Sequence, residues 1–343
     1  MMNNIFLIGF LAVIISFLIT PLIRKIACKF SVVSIPKDKR RVHNKTMPLM
    51  GGLAIYISFL ICMLLKRGVI SHSEIGILIG ASIIAFYGIL DDKFELRPLY
   101  KLAFQILATL VLMYFGIKIN NLTNPFSVGG NFIPMNWVSY PLTLFWVVGI
   151  TNAVNLIDGL DGLAAGIACI ASLTIFVIAL INGRDEAAFL TIILSGAIIG
   201  FLPYNFNPAS IFMGEVGSAL LGFLLAAISM EGAFKSAAGF VIAVPILALG
   251  VPIYDTLFAI VRRKINGKPI SVADKGHLHH RLLAMGLSQR QSVVIMYLIS
   301  AFLGGVAIIA MRISPRGSYL LLGIVVVTFI LIAWKYDFFK HKE

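Results

Sequence analysis

Charge is scarce in this sequence: charged residues fill 13% of 343 positions against 59% hydrophobic, and mean hydropathy is +0.96. A soluble domain carries about 25% charge, so a water-facing globular surface is excluded for most of the chain. Lipid removes the penalty for exposed Leu, Ile and Phe, and a bilayer is the solvent that suits this composition. Cysteine is also nearly missing. Cys28, Cys62 and Cys169 lie scattered without C-x-x-C or paired spacing, so they are structural or incidental thiols that carry no redox inference. Internal repeats, low-complexity stretches and a soluble domain are lacking too. The first apolar segment, Asn4 to Leu22, has neither a basic leader nor a small-residue cleavage site, and reads as a retained span.

What is present is a series of apolar runs. Crossing the hydrocarbon core takes about 20 residues of helix. Runs of that kind fall at 4–23, 48–65, 75–90, 99–116, 138–154, 162–181, 187–203, 214–230, 238–261, 291–311 and 317–334. The third, fifth and seventh are short, which leaves room for tilted, broken or re-entrant segments. The expectation is an all-α polytopic membrane protein of about eleven transmembrane helices, a single integral membrane domain over residues 1–343. Sizeable polar loops remain only at 24–47, 117–137 and 262–290.

Lysine and arginine orient it. The first loop holds Arg24, Lys25, Lys29, Lys37, Lys39, Arg40, Arg41 and Lys45, which predicts a cytoplasmic loop and an outside N-terminus. Alternation then places 91–98, 155–161, 204–213, 262–290 and the C-terminus in the cytoplasm, together with three quarters of the basic residues. The net charge of +13 is thereby assigned to topology and anionic headgroups, not to nucleic acid. The same arrangement gathers Asp91, Asp92, Glu95, Asp158, Asp161, Glu215, Asp255 and Asp274 at the inner face, leaving Glu74, Asp185, Glu186 and Glu231 outside. One acid at a helix end is more often a cap or an ion pair. Four loops of acids on one face call for chemistry.

Four blocks carry it. Asp91-Asp92-Lys93-Phe94-Glu95-Leu96-Arg97-Pro98-Leu99-Tyr100-Lys101 opens with adjacent carboxylates, whose repulsion a divalent cation or Lys101 would relieve. Neighbours on a helix point about 100° apart, so one of the pair faces reactants while the other holds a partner. In Asn152-Ala153-Val154-Asn155-Leu156-Ile157-Asp158-Gly159-Leu160-Asp161-Gly162, the polar residues recur at i,i+3, which a helical turn would stack on one side. Their oxygens are hard ligands suited to Mg²⁺ or Mn²⁺. The competing explanation is a polar helix–helix seam. In the block from Pro203 to Ser218, Glu215 lies between glycines at a helix start, a position that favours phosphate, and Phe212 is a candidate base-stacking ring or an interfacial aromatic. Last come Asp255 and the block Asp274-Lys275-Gly276-His277-Leu278-His279-His280-Arg281. Three histidines in four residues suggest zinc, but without cysteine and amid Lys275 and Arg281 they look more like phosphate-binding surroundings. His43, His72 and His341 are taken as ordinary loop residues.

In this order the four blocks resemble the polyprenyl-phosphate N-acetylhexosamine-1-phosphate transferase superfamily, whose bacterial members initiate teichoic acid, common antigen and O-antigen synthesis. The resemblance implies that the phosphate of undecaprenyl phosphate attacks the sugar-linked phosphate of a UDP-N-acetyl amino sugar at the cytoplasmic membrane face, releasing UMP. The His277–Arg281 block is similar to the branch that uses UDP-N-acetylglucosamine. By resemblance, Asn155 and Glu215 would hold Mg²⁺ or Mn²⁺, Lys101 would bind phosphate, and Phe212 would stack on uracil. Asp158 and Asp161 would lie near the uridine and phosphates. Asp91 or Asp92 would position or deprotonate the lipid phosphate. His277, His279, His280 and Arg281 would grip the sugar-phosphate, with Asn152 and Asp255 also binding substrate. The family's Met-Gly-Asp-x-Gly-Ser block carries Glu215 here in place of Asp, which moves the carboxylate by about one C–C bond. Relatives are often dimeric, so a homodimer is the assembly to test for. Rival readings are another UDP-amino sugar or phospho-MurNAc-pentapeptide as donor group and, from a different class, a transporter or flippase; transporter acids, however, tend toward the bilayer midplane.

Overall fold

The apolar runs fold as helices because a backbone in lipid must satisfy its own N–H and C=O groups. The computed structural model describes residues 2–35, 46–66, 68–124, 132–234, 242–269 and 276–335. Asp274 and Lys275, His43 and His341, and residues 36–45 of the basic first loop lie outside the described residues.

In chain order the long elements are α1 (Met2–Lys29), α2 (Gly52–Leu64), α3 (His72–Phe94), α4 (Pro98–Tyr114), α5 (Ser139–Leu156), α6 (Leu163–Ile181), α7 (Asp185–Asn205) and α8 (Gly214–Phe234). The pair α9 (Ala243–Ala248) and α10 (Gly250–Ile265) follows, then the short α11 (Leu278–Ala284), α12 (Gln289–Arg312) and α13 (Pro315–Lys335). Among the described residues, eight helices are long and apolar enough to cross a membrane, and α2 and α4 are shorter apolar helices. The short members are therefore not the third, fifth and seventh runs: α3 spans 23 residues, α5 18 and α7 21, whereas α2 has 13. The run expected at 238–261 is broken at Leu249–Gly250 into α9 and α10. The fold is all-α except for two small antiparallel ladders, β1 (Val33–Ser34) with β2 (Met47–Pro48) and β3 (Asn121–Thr123) with β4 (Phe132–Pro134).

Local chemistry fixes the helix ends. Ser71 and Glu74 close a capping box at α3, Ser288 and Gln291 another at α12, and Pro98 takes the first turn of α4. His72, taken as a loop residue, is in fact the first residue of α3. The acids at the far ends of α3 and α7 are structural: Lys66 Nζ lies 2.6 Å from buried Glu74, and Glu186 accepts hydrogen bonds from Ser71 and Ser73.

Helix α8 is the hub and is buried along almost its whole length. Its neighbours reach it through glycine. A Cβ on Gly52 of α2 would strike the Gly217 backbone, one on Gly88 of α3 would lie 2.5 Å from Val216 Cα, and one on Gly222 would lie 2.6 Å from Thr151 Cα of α5. Lipid supplies no hydrophobic drive for helix association, so close backbone packing does that work, and small residues permit it. The segment after β2 clips onto the start of α8: Phe212 N–H donates to Pro48 O at 2.8 Å, Gly51 N–H to Phe212 O at 2.9 Å and Gly52 N–H to Met213 O at 2.8 Å. These bonds fix the backbone that presents Phe212 and Glu215.

Candidate active site

The end of α3 supplies both carboxylates of the first block. Asp91 Oδ1 accepts from the Leu96 N–H at 2.8 Å, and Oδ2 receives Lys101 Nζ at 2.8 Å. Lys101 also lies 3.2 Å from Glu215 Oε2, so one cation bridges two acids. Asp92, one residue on and turned round the helix, points instead to the start of α8, where its Oδ1 accepts the Glu215 N–H at 2.7 Å. A helix N-terminus welcomes an anion. Gly214, with φ of +72°, has no room for a Cβ because Asp92 lies against it.

Asn155 joins the last turn of α5 to α8. Its Nδ2 donates to Glu215 Oε2 at 2.9 Å and to Ser218 Oγ at 2.8 Å. The helix then stops at Leu156, contrary to a continuous i,i+3 stack through Asp161: residues 157–162 form turns, ended by Gly162 at φ +77°. Asp158 and Asp161 therefore project from a loop. Burial, then the charges of Glu215 and Asp161, push the Asp158 carboxyl up to about 7. Asp161 Oδ2 is held by the Ala209 N–H and by Asn207 Nδ2, each at 3.0 Å, and Tyr297 of α12 donates to Gly162 O at 2.5 Å.

These groups surround one cavity of about 860 Å³ at the shared ends of α3, α5, α7 and α8. Asp91, Asp92, Asn155, Asp158, Asp161 and Glu215 all line it, as do Phe212 and His280. The other members of the histidine block stand behind the wall. His277 Nδ1 pairs with Asp255 Oδ2 at 2.7 Å, and Asp255 Oδ1 caps α11 by accepting the Leu278 N–H at 2.8 Å. Arg281 is buried and its Nε donates to Gly276 O at 3.0 Å. His279 is 1% exposed, and neither ring nitrogen has a hydrogen-bond partner. Burial, and then the neighbouring His280, bring it down to about 3, so it is neutral. Its ring lies against Gly159, where no Cβ would fit.

Lys101 and Asn152 are placed differently from what the sequence suggested. Lys101 is absent from the cavity lining and neutralises Asp91 and Glu215; Lys93 lines the cavity instead. Asn152 also lies off the lining and exchanges amide hydrogen bonds with Gln105, at 2.8 and 3.4 Å. Sequence reasoning also passed over Asn207, Ser218 and Gln289, all on the cavity wall. Only the Asn205-Phe206-Asn207-Pro208 run hinted at a polar role; Gln289 gave no local signal.

Among the described residues, no group of three or more His, Cys, Asp or Glu side chains converges to hold a metal. The oxygen donors nonetheless suit a hard cation. Asn155 Oδ1, Glu215 Oε1 and the Asp158 carboxylate have no hydrogen-bond partner among the described residues. Mg²⁺ typically takes one or two protein ligands and fills its remaining positions with phosphate and water, so two such donors fit it.

A family model described as Glycosyl transferase family 4 matches residues 74–233, from the capping box of α3 to the end of α8. The chain is 44% identical over 295 residues to the probable undecaprenyl-phosphate N-acetylglucosaminyl 1-phosphate transferase of Bacillus subtilis, covering 86% of this chain and 80% of that one. It is 35% identical over 360 residues to the decaprenyl-phosphate N-acetylglucosaminephosphotransferase of Mycolicibacterium smegmatis, covering 96% and 88%. To the undecaprenyl-phosphate alpha-N-acetylglucosaminyl 1-phosphate transferase of Escherichia coli it is 27% identical over 291 residues, covering 84% and 78%.

Proposed function

This chain belongs to glycosyl transferase family 4, the polyprenyl-phosphate N-acetylhexosamine-1-phosphate transferases, and on that premise we propose that it transfers N-acetylglucosamine-1-phosphate from UDP-N-acetylglucosamine to undecaprenyl phosphate, releasing UMP. It is a multi-pass membrane phosphoglycosyl transferase. The observation that carries the reading is the convergence of Asp91, Asp92, Asn155, Asp158, Asp161 and Glu215, from three separate sequence blocks, on one cavity.

Phosphoryl transfer needs alignment and charge neutralisation more than covalent help from the protein. The lipid phosphate is largely ionised at neutral pH, with a second pKa of about 6, so it needs little general-base assistance. Asp92, anchored at the N-terminus of α8, orients the attacking phosphate, and Asp91 holds Lys101 in place. Lys101 acts through Glu215 and Asp91, which it bridges. Asn155 and Glu215 would hold the divalent cation, Mg²⁺ or Mn²⁺, which would supply charge neutralisation for the transfer. Phe212 stacks on uracil while His280 contacts the sugar-phosphate side; His277, His279, Arg281 and Asp255 position that wall from behind. The bias of basic residues toward this side supports a cytoplasmic face with the N-terminus outside, and their charge would draw the anionic donor to it. The whole chain acts as one integral membrane domain.

In detergent, UMP should appear from UDP-N-acetylglucosamine only when Mg²⁺ and undecaprenyl phosphate are both present. A transporter would release none. Label from the donor staying on protein in the absence of lipid would replace direct attack by a covalent intermediate on Asp91 or Asp92.

A further inference from the structure

Asn207 and Gln289 form an amide pair on the cavity wall that the phosphoryl chemistry does not use. Asn207 Nδ2 donates to Asp161 Oδ2 at 3.0 Å and to Gln289 Oε1 at 2.8 Å, which engages both of its hydrogens. The complementary atoms, Asn207 Oδ1 and Gln289 Nε2, have no hydrogen-bond partner among the described residues. Both residues line the cavity. The pair thus offers an acceptor beside a donor.

It is also held firmly. Gln289 is the first residue of α12, whose start is set by the Ser288–Gln291 capping box. Arg290 Nε donates to the Asn207 carbonyl at 3.0 Å. An acceptor-only group such as phosphate or carboxylate would meet the Asn207 oxygen unfavourably. A secondary amide or imide, which carries one N–H and one C=O, supplies a partner for this pair: a ring imide holds the two on one edge and meets both members at once, whereas a trans acetamide points them opposite ways and meets one. A site built to pair polar groups discriminates strongly, because a substrate lacking them leaves the site's own groups unpaired. Gln289 lies beyond the 74–233 segment matched by the family, whereas Asp161 and Asn207 lie within it.

We propose that Asn207 and Gln289 form a specificity subsite that reads an amide or imide group of the nucleotide-sugar donor. The assignment rests on the donor named above, which carries two such groups: the acetamide of the sugar, which would engage the Gln289 donor through its C=O, and the imide of uracil, which would engage both members.

Gln289→Glu keeps the oxygen that Asn207 donates to and removes only the open donor. Gln289→Met, uncharged and of similar length, controls for the added charge, and only changes common to both variants count. Turnover of UDP-N-acetylglucosamine and UDP-glucose is measured in detergent with undecaprenyl phosphate, alongside inhibition by UMP. If the group is the acetamide, the preference for UDP-N-acetylglucosamine over UDP-glucose in kcat/KM falls about tenfold while UMP inhibition stays unchanged. If it is uracil, kcat/KM falls alike for both sugars and UMP inhibition weakens about tenfold. Either outcome supports the subsite. Unchanged preference together with unchanged UMP inhibition overturns it, as does a loss confined to kcat, which marks a scaffold for Asp161. A wild-type enzyme that cannot use UDP-N-acetylglucosamine removes the donor reading itself and the subsite with it.

Discussion

Replacing Lys101 by methionine keeps an unbranched stem of similar length and deletes one charge from between two acids. In the folded protein its ammonium lies 2.8 Å from Asp91 and 3.2 Å from Glu215. At an effective dielectric of about 20, unit charges at those separations attract by roughly 6 and 5 kcal/mol before desolvation is counted. Desolvation offsets most of that, and removing one partner of a buried pair costs about 3–5 kcal/mol. The Lys101 side chain is 26% exposed, so solvent screening brings the expected loss to about 2–3 kcal/mol. In a thermal unfolding assay in detergent without divalent cation, that loss lowers the midpoint by roughly 3–4 °C. Asp91→Asn added to Lys101→Met should recover part of it, because it removes one of the two stranded charges. Activity should fall mainly in kcat, since the variant misaligns Glu215 and Asp91 and leaves donor contacts in place. An unchanged midpoint combined with a KM for UDP-N-acetylglucosamine raised about tenfold would refute this reasoning and make Lys101 a direct phosphate ligand.

Further expectations follow from the same geometry. Glu215→Asp should keep or raise turnover, because the shorter acid restores the family's side chain at the start of α8; a dead variant would remove Glu215 as a simple ligand substitute. Gly52→Ala drives a methyl into the Gly217 backbone, whereas Gly149→Ala meets nothing within 4 Å. The first should lose at least the roughly 1–3 kcal/mol typical of overpacking and the second should be near neutral, and equal unfolding midpoints would contradict the packing. His279 has a folded value near 3 against 6.5 when free, and His277, His280 and Asp255 face it. Above about pH 6.5 both states are neutral. Between pH 6.5 and about 3 the unfolded chain takes up a proton that the folded one excludes, so stability falls by about 1.4 kcal/mol per pH unit. His279→Leu should flatten that acid limb in midpoint-versus-pH measurements, and an unaltered slope would place the titration elsewhere.

The helices were legible in the sequence because lipid imposes one rule, about 20 apolar residues with internally satisfied backbone, on every span. The break at Leu249–Gly250 and the 13-residue α2 were not legible, since an apolar run looks the same whether its helix is whole, short or divided. The acids of the cavity were legible too, because a carboxylate in so apolar a chain stands out and needs a reason.

Which of them face the reactants was decided only by folding. Asp91 and Asp92 are adjacent in sequence, yet a turn of about 100° sends one to Lys101 and the other to the α8 terminus. The i,i+3 spacing from Asn152 to Asp161 suggested one stacked face. The chain instead leaves the helix at Leu156, so Asn152 pairs with Gln105 while Asp158 and Asp161 reach the cavity from a loop. Gln289 stands 82 positions from the Asn207 it touches. Composition and spacing are local properties and specify solvent, helix and chemistry; a partner so distant in sequence is set only when α12 packs beside α6 and closes the cavity.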